Sequence, residues 1–140
     1  MPDEVRLKGS CRAISEDTRQ ILENRVMDIC KGLAQTYEID ITCDYQQGYP
    51  VLINHPKQTH LVTQALNSIV GQDNVMTKFD PIMGSEDFAF FLQKIPGCYF
   101  GLGNGEDSRP IHTSDYNFND DASKYGIAAF TKIVELELGA

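Results

Sequence analysis

The sequence predicts an α/β (α+β) protein: a β-α-β unit, which is half of a ferredoxin-like domain, followed by a second α/β unit. Two observations predict the first unit, since apolar and polar residues alternate over residues 5–13 and 39–45 and one amphipathic helix separates these segments. The third observation is helical periodicity, which returns after residue 55 and predicts about three further helices. A lone β-α-β unit leaves an edge strand exposed, so the pattern also predicts a missing partner.

The helix of the first unit has recognisable ends. Ser15 is the predicted N-cap, and Glu16 and Asp17 complement the positive end of the helix dipole. The helix is expected to run to about Tyr37. Apolar residues at spacings of three or four predict its buried stripe: Leu22, Val26, Ile29, Leu33 and Tyr37. This stripe is expected to cover one face of the two predicted strands.

A break in the pattern at residues 46–50 separates the two units. Asn54 or His55 then caps a second helix, which has Pro56 at its first position and ends at Gly71. Proline fits there because the first turn of a helix leaves its N–H groups without helical partners. We therefore predict a domain boundary between residues 54 and 55.

The stretch from residue 80 to residue 112 holds most of the chemistry. Ser85 is the predicted N-cap of a helix over residues 86–94, which a Pro-Gly pair then stops. A buried, glycine-rich strand is expected over residues 98–103. Two further elements flank the stretch: a short strand at residues 75–79 and a final helix capped by Asn119 or Asp120.

Three groups of this stretch are candidate site residues. His112 lies in the loop after the predicted strand, where metal ligands are often found, although a lone histidine is more often an ordinary surface or core residue. Gly84 and Ser85 would present free backbone N–H groups at a helix N-terminus, which suit a carboxylate. Glu86 and Asp87 complement the dipole of the same helix.

Several motifs, in this order along the chain, resemble one family. They read GSCRAISEDTRQILENRV, YQQGYPVLINHP, MGSEDFAFFLQKIPGCYFGLGNG and IHTSDYNFNDDA. Together they resemble the C-terminal end of the zinc-dependent aminoacylase and carboxypeptidase family, and within it the hippurate hydrolase and indole-acetyl-amino-acid hydrolase branch. The likeness covers nearly the whole chain.

The resemblance implies a place in a larger fold and a role for individual residues. Residues 1–54 correspond to the second half of a lid or dimerisation domain, and residues 55–140 to the C-terminal α/β segment of a zinc-peptidase-like catalytic domain. His112 would be a metal ligand. Arg12, otherwise a solvated charge, would grip the substrate carboxylate by a bidentate contact. Asn54 is either a helix cap or a substrate contact.

The activity that the resemblance implies is hydrolysis of an N-acyl amino acid or a related amide with a pair of Zn²⁺ or Mn²⁺ ions. The family's other metal motifs, and the Glu-Glu pair that resembles its general base, have no match in this sequence. Glu86 would orient a metal ligand or a water, and no residue here is expected to be catalytic. We therefore expect the C-terminal fragment of an amidohydrolase, inactive alone, whose partners are the missing N-terminal half of the catalytic domain and a second copy bound through the lid.

Composition and charge exclude several functions. A net charge of -8 with scattered Lys and Arg argues against nucleic-acid binding. No apolar run approaches the roughly 18 residues of a membrane helix, so we expect a soluble, cytoplasmic protein with no membrane partner. No Cys-x-x-Cys pair occurs, and buried reduced thiols are expected in place of a zinc site at the four cysteines: Cys11, Cys30, Cys43 and Cys98.

A hypothesis of a different class is a catalytically silent binding or dimerisation module. The lack of the other metal ligands in the sequence supports this alternative. A dimeric mass without metal-dependent hydrolysis would favour the module, whereas amide hydrolysis that requires metal would favour the enzyme.

Overall fold

The structure is a computed structural model and describes residues 2–139. Within these residues it contains four α-helices: α1 (Glu16–Tyr37), α2 (Pro56–Val70), α3 (Phe88–Leu92) and α4 (Ser123–Leu138). Short 3₁₀ turns follow α2 and precede α4, at Gln72–Asn74 and Asp120–Ala122. None of the helices in this part of the chain combines the length and the apolar character that crossing a membrane requires.

The predicted α/β fold with its β-α-β, ferredoxin-like half is wrong, because residues 2–139 form helices and no β-strand. The segments 5–13 and 39–45 have no regular secondary structure, and no backbone hydrogen bond of the described chain joins them. The segments 75–79 and 98–103, also predicted as strands, form no sheet in the described chain either. Alternation shows only that a segment has two faces, whereas a strand also needs a neighbour for its N–H and C=O groups.

The chain divides into two compact units. The first contains the described residues up to Leu52 together with Asp80–Phe90, and it includes α1. The second contains Ile53–Phe79 and the described residues from Phe91 onward, and it includes α2 and α4. The division at residue 54 into a lid segment and a catalytic segment stays a prediction.

The ends of α1 and α2 follow the sequence closely. The Ser15 side chain accepts a hydrogen bond from the N–H of Thr18 at 3.2 Å, so the predicted N-cap of α1 is confirmed. At α2, Pro56 lies at the first position after His55, and Gly71 ends the helix with a φ of +82°. Both results are local, since a cap depends on residues only a few positions away.

The face of α1 that packs within the first unit differs from the predicted stripe. Leu22 and Val26 are half-buried as expected, but Ile29, Leu33 and Tyr37 are exposed. The other half-buried residues of α1 are polar, sulfur-containing or small: Arg19, Glu23, Met27, Cys30 and Ala34. The stripe was predicted on the assumption that an apolar sheet lies beneath the helix. The chain beneath it instead presents polar backbone groups, which bond to polar side chains of α1.

The extended segment 43–51 runs antiparallel to α1 and is held by side chains of the helix. Three hydrogen bonds join them: Val51 N to Glu16 Oε1 (2.9 Å), Arg19 Nη2 to Gly48 O (3.3 Å) and Gln47 Nε2 to Glu23 Oε2 (2.6 Å). As the residue number on α1 rises from Glu16 to Glu23, the residue number of the bonded partner falls from Val51 to Gln47. The segment therefore runs antiparallel to the helix. The helix thus supplies donors and acceptors that a neighbouring strand would supply in a sheet.

In the second unit, α2 packs against α4 through small side chains. Ala65 on α2 and Ala129 on α4 are fully buried, so the two helices approach closely at these positions. The chain that follows α3 also rests on α4, because the rings of Phe100 and Phe130 lie 5.8 Å apart between centroids. This pairing anchors the chain shortly before the loop that carries His112.

Replacing Glu16 by glutamine will remove a pH-dependent part of the stability. The N–H of Val51 lowers the pKa of the Glu16 carboxyl below its ordinary value of 4.5, and Arg19 lowers it further against the opposing effect of burial. A lowered pKa in the folded state stabilises the fold above pH 4.5, and this contribution is lost as the pH falls through the lowered folded value. Urea unfolding between pH 7 and about pH 3, followed by circular dichroism, should therefore show the wild type losing more stability than Glu16→Gln.

Asp17→Asn is the matched control for this experiment. It removes an acid from the same helix turn without touching Val51, so it reports the effect of the helix dipole alone. Parallel stability profiles for the wild type and Glu16→Gln would contradict the assigned role of the Val51 hydrogen bond.

Candidate functional site

The sequence-predicted site residues fall in both units. Those in the first unit are Arg12, Gly84, Ser85 and Glu86. Those in the second unit are Asn54 and His112. Within the second unit, Asn54 bonds to the backbone at Tyr99, and His112 lies in a separate turn.

His112 occupies an exposed turn in an unusual backbone conformation. Its φ is +68°, a left-handed value that only one other non-glycine residue shares in the described chain. That residue, Glu38, closes α1, where a left-handed conformation is expected. The conformation of His112 ends no helix, and holding it costs on the order of 1–3 kcal/mol. Strain of this kind is found most often where a side chain must be aimed in a particular direction.

The turn around His112 is braced on both sides. Arg109 Nε lies 3.2 Å from Asp115 Oδ2, so an ion pair joins the chain before the turn to the chain after it. Thr113 Oγ1 donates to the carbonyl of Pro110 at 2.8 Å, and the N–H of Tyr116 donates to the carbonyl of Thr113 at 3.2 Å. These contacts fix the shape of the turn while the imidazole stays exposed to solvent.

A pair of asparagines closes the base of the loop that carries His112. The N–H of Asn119 donates to Asn104 Oδ1 at 2.7 Å, and Asn119 Nδ2 donates back to the carbonyl of Asn104 at 3.2 Å. Asn104 Nδ2 also donates to Asn117 O at 2.9 Å and to Ser108 Oγ at 2.6 Å. We call Asn104 and Asn119 the asparagine clasp. It sets the two ends of the loop 104–119 side by side.

The asparagine clasp extends into α4. Asn119 Oδ1 accepts from the N–H of Asp121 at 3.1 Å and so caps the 3₁₀ turn that leads into the helix. Ala122, at the end of that turn, is buried. Asn119 or Asp120 was predicted to cap the last helix, but Asn119 caps the 3₁₀ turn, and the N-cap residue of α4 is Ala122, which makes no side-chain cap bond. The role of Asn104 was not predicted, since its only local signal is its place before a glycine.

The described residues do not form a metal site by themselves. No group of three or more His, Cys, Asp or Glu side chains within residues 2–139 is arranged to hold a metal ion. Near His112, the carboxylate of Asp115 is paired with Arg109. A stable zinc site needs three or four protein ligands, whereas His112 offers a single donor.

Asn54 and His55 together hold the chain that follows α3. Asn54 Nδ2 donates to Tyr99 O at 2.8 Å, and Tyr99 N donates to Asn54 Oδ1 at 2.7 Å. His55 N donates to Gly97 O at 3.0 Å, and Gly97 N donates to His55 Nδ1 at 3.2 Å. Asn54 therefore does not cap α2, and His55, the N-cap residue, makes no side-chain cap bond. This role of His55 was not predicted from the sequence.

The helix predicted over residues 86–94 is shorter, because α3 spans Phe88–Leu92. Glu86 Oε1 accepts from the N–H of Phe88 at 3.2 Å, so this carboxylate takes the first free donor of the helix. Gly84 and Ser85 lie in exposed, irregular chain before the helix and not at its N-terminus. Their proposed carboxylate seat therefore depends on loop N–H groups alone.

Arg12 is exposed in extended chain of the first unit. Its Nη1 donates to Ser10 Oγ at 3.1 Å. The ion pairs found among the described residues do not include Arg12, in contrast to Arg6, which lies 3.5 Å from Glu4. The guanidinium of Arg12 thus keeps donors for an external carboxylate.

Comparison with known proteins gives several matches. The model of peptidase family M20/M25/M40 matches residues 4–136. Hippurate hydrolase of Campylobacter jejuni is 32% identical over 120 residues, which are 86% of this chain and 31% of that protein. Putative amidohydrolase YhaA of Bacillus subtilis is 38% identical over 102 residues, 72% of this chain and 25% of that protein. N-acetyldiaminopimelate deacetylase of Limosilactobacillus reuteri is 28% identical over 135 residues, 96% of this chain and 35% of that protein.

The chain thus spans about a third of the length of these curated relatives, or less. The family match extends through both compact units. No solved structure matches the chain.

Replacing Asn104 by alanine will open the loop that carries His112. The change removes the acceptor for Asn119 and both donors of the Asn104 amide, a loss of about 1–2 kcal/mol for the partly buried groups. Glutamyl endopeptidase should then cleave after Glu106 faster in Asn104→Ala than in the wild type. Asn104→Asp keeps the acceptor and loses the donors, so it should lie between them.

Asn117→Ala is the control for this measurement. Asn117 takes part through its backbone carbonyl, which the substitution leaves in place. Its cleavage rate should match the wild type. Equal rates for Asn104→Ala and Asn117→Ala would contradict the role of the asparagine clasp.

Proposed function

Because this chain belongs to peptidase family M20/M25/M40, we propose that it forms part of a metal-dependent amidohydrolase that cleaves N-acyl amino acids. The family is one of metal-dependent peptidases, and the resemblance inferred from the motifs is confirmed. Relatives named hippurate hydrolase and N-acetyldiaminopimelate deacetylase support a substrate in which an acyl group is joined to an amino acid. Zinc, a homodimer and a cytoplasmic location stay predictions.

We assign to His112 the role of one ligand to a divalent metal ion, Zn²⁺ or Mn²⁺. The observation that carries this proposal is the strained, braced and exposed turn, since it aims an imidazole outward at a cost in backbone energy. Imidazole is a common protein ligand of Zn²⁺. The remaining ligands would come from residues that this sequence does not contain, so the chain alone is expected to be inactive.

The substrate carboxylate is assigned to Arg12 and to the backbone at Gly84 and Ser85. Arg12 supports this proposal because its guanidinium has no ion-pair partner among the described residues. A guanidinium binds a carboxylate through two parallel hydrogen bonds, which fixes both position and orientation. The exposed chain at Gly84 and Ser85 offers N–H groups for the same purpose.

Two further side chains are assigned supporting roles, each within its own unit. The side-chain amide of Asn54 uses one N–H and one oxygen lone pair to bond to the backbone of Tyr99. Its second N–H and its second lone pair remain for a substrate. Glu86 holds the first turn of α3 and is assigned the orientation of a metal ligand or of a water. Neither residue is assigned the role of general base.

Replacing His112 by alanine will abolish most of the activity of the complete amidohydrolase that the proposal implies. Loss of a ligand should lower metal content and reduce kcat by more than about 100-fold. The measurement is hydrolysis of N-benzoyl and N-acetyl amino acids, with metal content determined by mass spectrometry on the same samples. His60→Ala is the control, because His60 is an exposed histidine on α2. Near-normal turnover and metal content in His112→Ala would refute the assignment.

Replacing Arg12 by alanine will chiefly raise the KM for substrates with a free carboxylate. Loss of a charge-assisted contact corresponds to an increase of about 10- to 100-fold, with little change in kcat. The corresponding carboxamide substrates should be affected far less. Arg6→Ala removes a neighbouring cation that is paired with Glu4 and should leave both constants unchanged. Equal losses on acid and amide substrates would count against this role of Arg12.

A further inference from the structure

Two of the four cysteines face each other within the first unit. Cys30 lies on α1 and Cys43 on the extended segment beneath it, and both are half-buried with free thiols. The thiol of Cys30 is close enough to act on the pKa of Cys43. The other cysteines have different neighbours, since Cys11 acts on the pKa of Tyr45 and Cys98 Sγ lies 3.7 Å from a backbone carbonyl.

The packing of the segment against α1 places the two thiols together independently of that effect. Gln47 is bonded to Glu23 at 2.6 Å, which fixes the register. From Glu23 the helix rises about 10 Å to Cys30. Cys43 precedes Gln47 by a distance of about 13 Å in extended chain. The antiparallel register therefore places Cys30 and Cys43 within about 3 Å of each other along the helix axis.

We propose that Cys30 and Cys43 form a reversible disulfide by exchange with a low-molecular-weight disulfide such as oxidised glutathione. The thiolate of one cysteine attacks the small disulfide and expels one small thiolate. The second cysteine then loses its proton, attacks the mixed disulfide and expels the other small thiolate. Two protein thiols are oxidised, and one small disulfide is reduced to two thiols. Closure requires the sulfurs to move to about 2.05 Å from each other.

The surroundings of the pair act on the reactivity of Cys43. The thiol of Cys30 raises the pKa of Cys43, and burial and the nearby Asp44 carboxylate act in the same direction. A raised pKa lowers the fraction of thiolate, which is the attacking species in thiol–disulfide exchange.

The disulfide ties the C-terminal half of α1 to the segment that follows the helix. It closes a loop over residues 31–42, which includes the left-handed Glu38 at the end of α1. Such a closure restricts the unfolded chain and stabilises the folded unit. The oxidised protein should melt about 5–15 °C higher than the reduced protein.

Equilibration in glutathione redox buffers without oxygen tests the proposal. Remaining thiols are alkylated at set times, and the protein is digested with trypsin and analysed by mass spectrometry. The expected product is a monomer that has lost two thiols, in which the peptide 26–31 is joined to the peptide 32–57. Cys11→Ser and Cys98→Ser should oxidise at the same glutathione ratio as the wild type.

The variants of the pair itself complete the test. Cys30→Ser and Cys43→Ser should form only a mixed disulfide with glutathione and should show no rise in melting temperature. A bridge to Cys11 or Cys98 in the wild type, a disulfide between two chains, or glutathione adducts alone would overturn the proposal. The result does not depend on amide hydrolysis, so it stands or falls separately from the proposed function.

Discussion

The structure depends on how its extended backbone satisfies its N–H and C=O groups. Outside the helices, side chains supply partners that a sheet would otherwise provide. Glu16 accepts from Val51, and Asn54 and His55 hold the chain after α3. Asn104 and Asn119 close the loop before α4 in the same way. Each of these contacts joins an irregular segment to a helix or to the chain next to a helix end.

This arrangement explains why His112 is the best-supported candidate among the proposed site residues. The asparagine clasp and the Arg109–Asp115 ion pair hold the loop from its base to its tip. Asn119 also caps the turn that leads into α4, and α4 packs on α2. The loop can therefore keep one imidazole in a strained conformation and exposed. A single ligand so placed suits a site that is completed by residues from elsewhere.

The sequence was a good guide to local features and a poor guide to pairing. The ends of α1 were predictable because Ser15 and the first-turn acids act over a few residues. The strands were not, because alternation cannot reveal whether a partner segment is available. The same error misplaced the buried face of α1, where Ile29 and Leu33 lie exposed. Family membership and the candidate role of His112 were predicted from motifs. The strained backbone at His112 and the role of Asn104 could be seen only in the structure.

Amide hydrogen exchange measured by NMR tests the central claim most directly, namely that side chains replace strand pairing. We expect the amides of Val51, Tyr99 and Asn119, which donate to side chains, to exchange more slowly than those in the segments 5–13 and 39–45. Alternating protected amides along these two segments would show that they pair as strands, and this result would contradict the proposed role of the side chains.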